Sequence, residues 1–298
     1  MTNVTNAPRD TAATGSFLDK VRRRWHDGRT LLCVGLDPDL GRLPTAQGDT
    51  PAEVEAAFVA FNTAIIDATA DLVCAYKPNA AFYERHGAVG WNALARTIAY
   101  IHSRYPDVPV LLDAKRGDIG STAAAYADAI FDGLGADAVT LHPYLGGDAL
   151  LPFLKRADRG CFILAHTSNP GATELQDLTV RAADGTDEPL YLVVARRVAR
   201  HWNANGNCAL VVGAPYPEQL QMIRRVAGDL PMLIPGIGAQ GGDLAAVVNV
   251  GLDSQGAGLL ISASRSVIYA SSGADFAEAA RHEAERLRDA IEALRNRS

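Results

Sequence analysis

The sequence has few cysteines, no long apolar run and no excess of positive charge. Each of its four cysteines (Cys33, Cys74, Cys161 and Cys208) lies in a short apolar stretch, without the spacing of a zinc site or a disulfide framework. We therefore expect buried thiols in a reducing compartment. No apolar run approaches the ~20 residues that span a bilayer, and residues 1–15 lack the apolar segment of a signal peptide. We expect a cytoplasmic protein with no membrane partner.

The charge balance also excludes some classes of partner. Lysine and arginine number 28 against 34 acidic residues, for a net charge of −6. Because no basic stripe is present, we do not expect nucleic acid as a partner. The seven histidines are scattered without the HxH or HxxxH spacing that builds a ligand set, so we predict no metal site.

Short apolar runs and helical patterns alternate along the chain. Eight runs predict strands, at 31–36, 72–77, 109–115, 138–143, 161–166, 208–213, 231–236 and 258–264. Their continuous apolar character is typical of parallel strands buried on both faces.

The pattern predicts an α/β fold, a single (β/α)8 TIM barrel over residues 16–298 that follows a mobile tail at 1–15. A doubly wound open sheet is the alternative. That fold normally carries a glycine fingerprint after its first strand, whereas this chain reads "GLDPDLGRLP" there.

Two local features stand out between the predicted strands. Thr50 and Pro51 are the N-cap and first residue expected of a helix over 51–69. The connection "TELQDLTVRAADGTD" at 173–187 is unusually long and polar. It predicts a long surface loop, which is either a lid element or a tolerated insertion.

Polar residues follow the predicted strands at the rim where barrel enzymes bind their substrates. Any one of them could be an ordinary solvated strand end, but a barrel needs no ring of opposite charges for stability. The residues at this rim are Asp37, Lys77, Asn79, Asp113, Lys115, Asp118, His142, Ser168, Asn169, Ser264 and Arg265.

The stretch "DAKRGD" carries the most specific chemistry. Asp113 and Lys115 are two apart on one predicted strand, so they should share a face, while Ala114 faces the helices. A lysine between Asp113 and Asp118 should stay protonated, which favours a proton donor over a Schiff base. The glycine-rich "PGIGAQGGD" and Arg265, after the last two strands, suit a phosphate group.

The chain resembles the orotidine 5′-phosphate decarboxylase family, in particular its longer bacterial subgroup. The resemblance rests on "DAKRGDIGST" together with "GLDPD", "YKPNAAFYE", "HTSNPGA" and "PGIGAQGGD" in that order, over roughly residues 31 to 270. It implies decarboxylation of orotidine 5′-monophosphate to uridine 5′-monophosphate and CO2, the last step of de novo pyrimidine biosynthesis. It further implies a homodimer with shared active sites, and neither a metal nor an organic cofactor.

The resemblance also implies roles for individual residues. Lys115 would protonate C6 of the pyrimidine, and Asp113 would lie against the substrate carboxylate. Asp118 of the partner subunit would complete an alternating array with Lys77, Asp113 and Lys115.

Further residues would bind the substrate. Asp37 and Lys77 would hold the ribose with Thr122 of the partner, and Ile119 would line the carboxylate. The pyrimidine and the phosphate would be contacted by Ser168, Pro235, Gln240 and Arg265.

Two other functions remain open at this stage. A magnesium-dependent sugar-phosphate decarboxylase or aldolase could use the same Asp-x-Lys-x-x-Asp strand. A non-catalytic nucleotide-binding barrel is the second alternative, although binding alone needs no such array of charges.

Overall fold

Strands and helices alternate through the computed structural model, which describes residues 15–44, 50–181, 185–237 and 242–297. The strands are β1 (Leu32–Gly35), β2 (Ala75–Lys77), β3 (Leu111–Arg116), β4 (Ala138–Leu141), β5 (Gly160–His166), β6 (Thr179–Arg181), β7 (Asp187–Pro189), β8 (Cys208–Val212), β9 (Met232–Pro235) and β10 (Leu259–Ala263). The helices are α1 (Phe17–His26), α2 (Pro51–Thr69), α3 (Ala80–Glu84), α4 (Gly87–Arg104), α5 (Gly120–Asp128), α6 (Gly147–Leu154), α7 (Leu190–Arg197), α8 (Pro217–Ala227), α9 (Leu244–Gly251), α10 (Arg265–Ile268) and α11 (Phe276–Arg295).

Eight of the strands form one parallel sheet in the order β2-β1-β10-β9-β8-β5-β4-β3. Single parallel bridges, Tyr76 to Val110 and Asn79 to Asp113, join the two end strands and close the sheet into a barrel. The predicted (β/α)8 barrel is therefore confirmed, and the open doubly wound sheet is wrong. Because every strand is covered by helices outside and side chains inside, the apolar runs need no alternation.

Helix α2 shows how local sequence sets a boundary. Thr50 accepts a hydrogen bond from the Glu53 N–H, the Glu53 carboxylate accepts one from the Thr50 N–H, and Pro51 takes the first helical position. This reciprocal cap satisfies N–H groups that a helix start leaves free. The predicted helix over 51–69 is confirmed.

Four helices were not predicted from the sequence: α1, α3, α6 and α10. Helix α6 begins with glycines and contains Pro152, both of which oppose a helical pattern. Helix α1 lies across the amino-terminal end of the barrel, where the Phe17 ring meets the edge of Phe162 at 5.5 Å between centroids.

The predicted loop at 173–187 contains regular structure. A short 3₁₀ helix (Pro170–Glu174) leads to an antiparallel hairpin of β6 and β7. Gln176 accepts a hydrogen bond from the Thr167 N–H at 2.8 Å, and Asp177 lies 3.0 Å from Nε2 of buried His166. Burial lowers the pKa of His166 more than Asp177 raises it, so a neutral ring donates to the Asp177 carboxylate.

The four cysteines are buried, as predicted, and all are free thiols. Burial raises the pKa of Cys33 and of Cys208 to about 12, which makes both thiols poor nucleophiles. Within the described ranges, no helix is both long and apolar enough to cross a bilayer. Residues 1–14 lie outside those ranges, so the mobile tail stays a prediction.

A buried ionic cluster ties α1 to the amino-terminal end of the barrel. The Asp137 carboxylate binds Lys20 Nζ at 3.0 Å, His102 Nε2 at 2.8 Å and the Val110 N–H at 2.8 Å. Burial raises the pKa of Asp137, but these partners outweigh it and lower the pKa to about 2. The folded state therefore favours the ionised carboxylate.

We expect Asp137→Asn to lower the free energy of unfolding by about 3–5 kcal/mol, because the buried Lys20 ammonium loses its counter-charge. Urea denaturation measures this loss. The pKa of Asp137 is below its ordinary 3.8, so its ionisation stabilises the fold above that pH and ceases to do so as pH falls through about 2. The difference in the free energy of unfolding between the parent and Asp137→Asn should therefore decrease below pH 4.

Asp128→Asn is the control, because Asp128 is an exposed partner of Arg156. This substitution should lower the free energy of unfolding by less than about 1 kcal/mol. Equal losses in the two variants would contradict the assigned role of the buried cluster.

Candidate active site

The predicted polar residues surround the carboxyl ends of the barrel strands. Lys77 ends β2, Asp113 and Lys115 lie on β3, and Pro235 ends β9. Asp37, Ser168 and Arg265 each follow their strand by two residues. Since all eight strands are parallel, these residues lie at the same mouth of the barrel.

One carboxylate binds two lysines at this mouth. Asp113 Oδ2 lies 3.2 Å from Lys77 Nζ, and Asp113 Oδ1 lies 2.7 Å from Lys115 Nζ. The Lys77 side chain is only 6% exposed, whereas half of the Lys115 side chain is accessible. Lys77 is therefore the more buried of the two ammonium groups, and Lys115 is the more accessible to an incoming ligand.

The charges at the centre stabilise one another. Burial raises the pKa of Asp113, but Lys77 and Lys115 outweigh that effect and hold it well below its usual range. Burial lowers the pKa of Lys77, and the carboxylates of Asp113 and Asp37 raise it further than burial lowers it. Asp113 and Lys77 thus remain ionised near neutral pH.

The contact between Asp113 and Lys115 was expected, but the backbone that makes it was not. Lys115 has a φ of +48°, in the left-handed region, rather than the extended conformation of a regular strand. The pairing of β3 with β4 also shifts register between Leu112 and Arg116. Alternation along a regular strand is therefore the wrong explanation for this contact.

Asp37 is held by two other strand ends. Its carboxylate accepts the Asn79 N–H at 3.0 Å and the Ser264 hydroxyl at 2.6 Å. Gly35 permits this approach, because a Cβ there would lie 2.6 Å from Cβ of Ser264. Asp37 is consequently buried and oriented before any ligand arrives.

The turn after β3 carries three further predicted residues. The Asp118 carboxylate accepts the N–H of Ile119 at 2.7 Å, and among the described residues it bonds neither Lys77 nor Lys115. Ile119 is 60% exposed, and Thr122 is exposed on α5. Within one chain, this carboxylate therefore forms no ion pair with the lysine pair in the described residues.

Other predicted residues share the rim without a hydrogen bond or ion pair to the lysine pair in the described part of the chain. Ser168 packs its backbone against Gly213, where a Cβ would meet Ser168 Cα at 2.6 Å. Pro235 is half-buried at the end of β9, and Arg265 is exposed at the start of α10. Gln240 lies outside the described residues.

Two hydroxyls that bond these carboxylates had no role assigned from the sequence: Ser264 was placed at the rim without a partner, and Thr140 was not singled out. Thr140 on β4 donates to Asp113 Oδ1 at 2.9 Å, and Ser264 donates to Asp37. A threonine within the apolar run 138–143 was the available signal for the first. Neither hydroxyl could be connected to its acceptor without the pairing of the strands.

The side chains that the structure describes at the rim do not form an evident metal centre. Among the described residues, no group of three or more histidine, cysteine, aspartate or glutamate side chains could hold a metal ion. At the centre, Lys77 and Lys115 occupy both oxygens of Asp113.

Comparison with known proteins gives a consistent set of matches. A profile described as "Orotidine 5'-phosphate decarboxylase / HUMPS family" matches residues 30–281. An orotidine 5′-phosphate decarboxylase of Thermomicrobium roseum is 55% identical over 281 residues, 94% of this chain and 96% of that protein. One of Cellvibrio japonicus is 52% identical over 280 residues, 94% of this chain and 99% of that protein.

Among solved structures, OMP decarboxylase of Leishmania donovani matches with a TM-score of 0.78 and 41% identity. The match covers 94% of this chain and 98% of that one.

The turn after β3 has no room for a side chain at Gly117. A Cβ there would lie 2.5 Å from Nε2 of His142, which is 3.2 Å from the Gly117 carbonyl oxygen. We expect Gly117→Ala to lower the free energy of unfolding by about 1–3 kcal/mol in urea denaturation. In a His142→Ala background, Gly117→Ala should lower the free energy of unfolding by less, because the clashing ring is absent.

Gly133→Ala is the control, because its nearest atom would be 3.8 Å away. An equal loss from Gly117→Ala in both backgrounds would show that the ring is not the obstacle.

Proposed function

The chain belongs to the orotidine 5′-phosphate decarboxylase / HUMPS family and, within it, to the decarboxylase enzymes, and we propose that it converts orotidine 5′-monophosphate to uridine 5′-monophosphate. In this proposal the reaction needs neither a metal nor a cofactor, and Lys115 is the acid. The observation that carries the mechanism is the accessible Lys115 ammonium, 2.7 Å from the ionised Asp113 carboxylate. The reaction is the decarboxylation step of pyrimidine biosynthesis.

Lys115 supplies the charge and the proton that the reaction needs. When the bond from C6 to the carboxylate breaks, CO2 leaves and the electron pair stays on C6. A preorganised ammonium stabilises this charge as it develops. A proton then passes from Lys115 Nζ to C6, and solvent reprotonates the amine.

Asp113 and Lys77 prepare that ammonium. The Asp113 carboxylate keeps Lys115 close to the reacting centre, and its negative charge disfavours a second carboxylate bound nearby. Lys77 shares the same carboxylate from the opposite side, so Asp113 cannot rotate freely.

The rim residues supply binding energy away from the reacting carbon. We assign the ribose hydroxyls to Asp37 and Lys77, and the pyrimidine to Ser168 and Pro235. Arg265 binds the phosphate together with Gln240. Binding energy from contacts at the phosphate end offsets the repulsion between the substrate carboxylate and Asp113 at the reacting end.

A second copy of the chain completes the site in this proposal. The partner's turn after β3 brings Asp118 to the lysines, Thr122 to the ribose and Ile119 to the carboxylate. Support comes from exposed apolar side chains on α5 and α6, which pack against each other, and on the residues just before each helix. They are Ile119, Tyr126, Tyr144, Leu145 and Leu151, and Tyr144 is 78% exposed.

The function is tested by incubating chelator-treated protein with orotidine 5′-monophosphate and following ultraviolet absorbance and CO2 release. We expect turnover by the parent and a loss of about 10²–10⁴-fold or more in Lys115→Ala, because the proton donor is gone. Lys155→Ala removes an exposed lysine at the end of α6 and should leave turnover unchanged.

Near-parental turnover by a folded Lys115→Ala would remove the proposed role of this lysine. Turnover abolished by the chelator and restored by magnesium would favour the sugar-phosphate enzymes. Tight binding without CO2 release would indicate a nucleotide-binding barrel.

The shared site is tested by mixing Lys115→Ala and Asp118→Ala subunits, each inactive alone. Random reassociation places half of the subunits in mixed dimers with one native site each, so about a quarter of the parental activity should return. Sedimentation or mass spectrometry establishes that the subunits have exchanged. No recovery after demonstrated exchange would contradict a site built from two chains.

A further inference from the structure

The backbone of Lys115 is held in a conformation that ordinary residues avoid. Its φ is +48°, and Arg29 is the other non-glycine residue with positive φ in the described ranges. For a residue with a Cβ, such a backbone is energetically unfavourable. Neighbouring groups must therefore stabilise it, and the pairing with β4 is irregular at the same place.

Thr140 on β4 provides the hydrogen-bond partner for the backbone of Lys115. Its Oγ1 accepts the Lys115 N–H at 2.9 Å and donates to Asp113 Oδ1 at 2.9 Å. A hydroxyl has one donor and two acceptor positions, so it can make both bonds at once. Thr140 is only 1% exposed, so water does not compete for either bond.

These bonds form a closed ring through Lys115. The ring runs from the Lys115 N–H to Thr140 Oγ1, on to Asp113 Oδ1, and back to Lys115 Nζ at 2.7 Å. Thr140 thus fixes the main chain of the lysine and orients the carboxylate that holds its side chain. Lys77 restrains the other oxygen of the same carboxylate.

We infer that Thr140 is a positioning residue, whose hydroxyl holds Lys115 in its left-handed backbone and keeps its ammonium aimed at the reacting carbon. The inference rests on the proposed function of Lys115 as the acid. Misplacement of a reacting group by ~1 Å can lower a rate about 10²-fold, so such a tether matters even without substrate contact.

The test compares two substitutions at Thr140. Thr140→Val keeps the shape of the side chain and removes the hydroxyl, whereas Thr140→Ser keeps the hydroxyl. We expect kcat to fall about 10–100-fold in Thr140→Val, with little change in KM because the residues assigned to ribose and phosphate are untouched. Thr140→Ser should restore most of kcat.

Thr30→Val is the matched control. Thr30 is fully buried at the amino-terminal end of the barrel, and its hydroxyl also accepts a backbone N–H, from Leu32, and donates to the Leu72 carbonyl. A comparable loss of stability is expected there, with kcat unchanged. This separates positioning from a general effect of losing a buried hydroxyl.

Amide hydrogen exchange gives a readout that does not depend on turnover. Exchange at the Lys115 amide should accelerate about tenfold or more in Thr140→Val, but not in Thr140→Ser or Thr30→Val. If Thr140→Val does not fold, Thr140→Ala is measured by the same criteria.

Parental kcat in a folded variant without the hydroxyl, or equal losses in Thr140→Ser and Thr140→Val, would overturn the inference. A parent enzyme without decarboxylase activity would instead refute the proposed function. In that case, exchange at the Lys115 amide still decides whether Thr140 is the tether.

Discussion

The site depends on one ionised carboxylate that two ammonium groups share. Removing charges from water costs several kcal/mol per ion, and an attraction of about 4 kcal/mol at 4 Å, for an effective dielectric of 20, does not by itself offset this cost. Two lysines and the Thr140 hydroxyl offset this cost, because together they donate hydrogen bonds to both carboxylate oxygens of Asp113. The resulting cluster can remain charged before substrate binds.

The barrel separates stability from chemistry along its axis. At the amino-terminal end, Asp137 binds Lys20 and His102 within a buried cluster that attaches α1. At the opposite end, strands of the same sheet present Asp113 and the accessible Lys115. A strained backbone at Lys115 is tolerable because the well-packed barrel around it holds it in place.

Hydrogen bonds between residues of different strand ends fix the conformation of the barrel mouth. Asp37 is bonded by groups that follow β2 and β10, and the connection after β5 is tied down through Gln176 and Asp177. Asp37 and the connection after β5 are thus each fixed by hydrogen bonds to nearby strand ends. Under the proposed function, substrate contacts arise from several such loops, and the partner's turn supplies the remaining face.

The sequence by itself determined the alternation of strands and helices, the capped start of α2, the burial of the cysteines and the set of charged residues at the strand ends. These features depend on residues close together in the chain, such as Thr50, Pro51 and Glu53. Only the tertiary structure decided the left-handed backbone of Lys115, because it depends on Thr140 of the next strand. Likewise, α6 forms despite Pro152, because packing between distant segments outweighs local preference. The position of α1 across the end of the barrel depends on a distant contact, between Phe17 and Phe162.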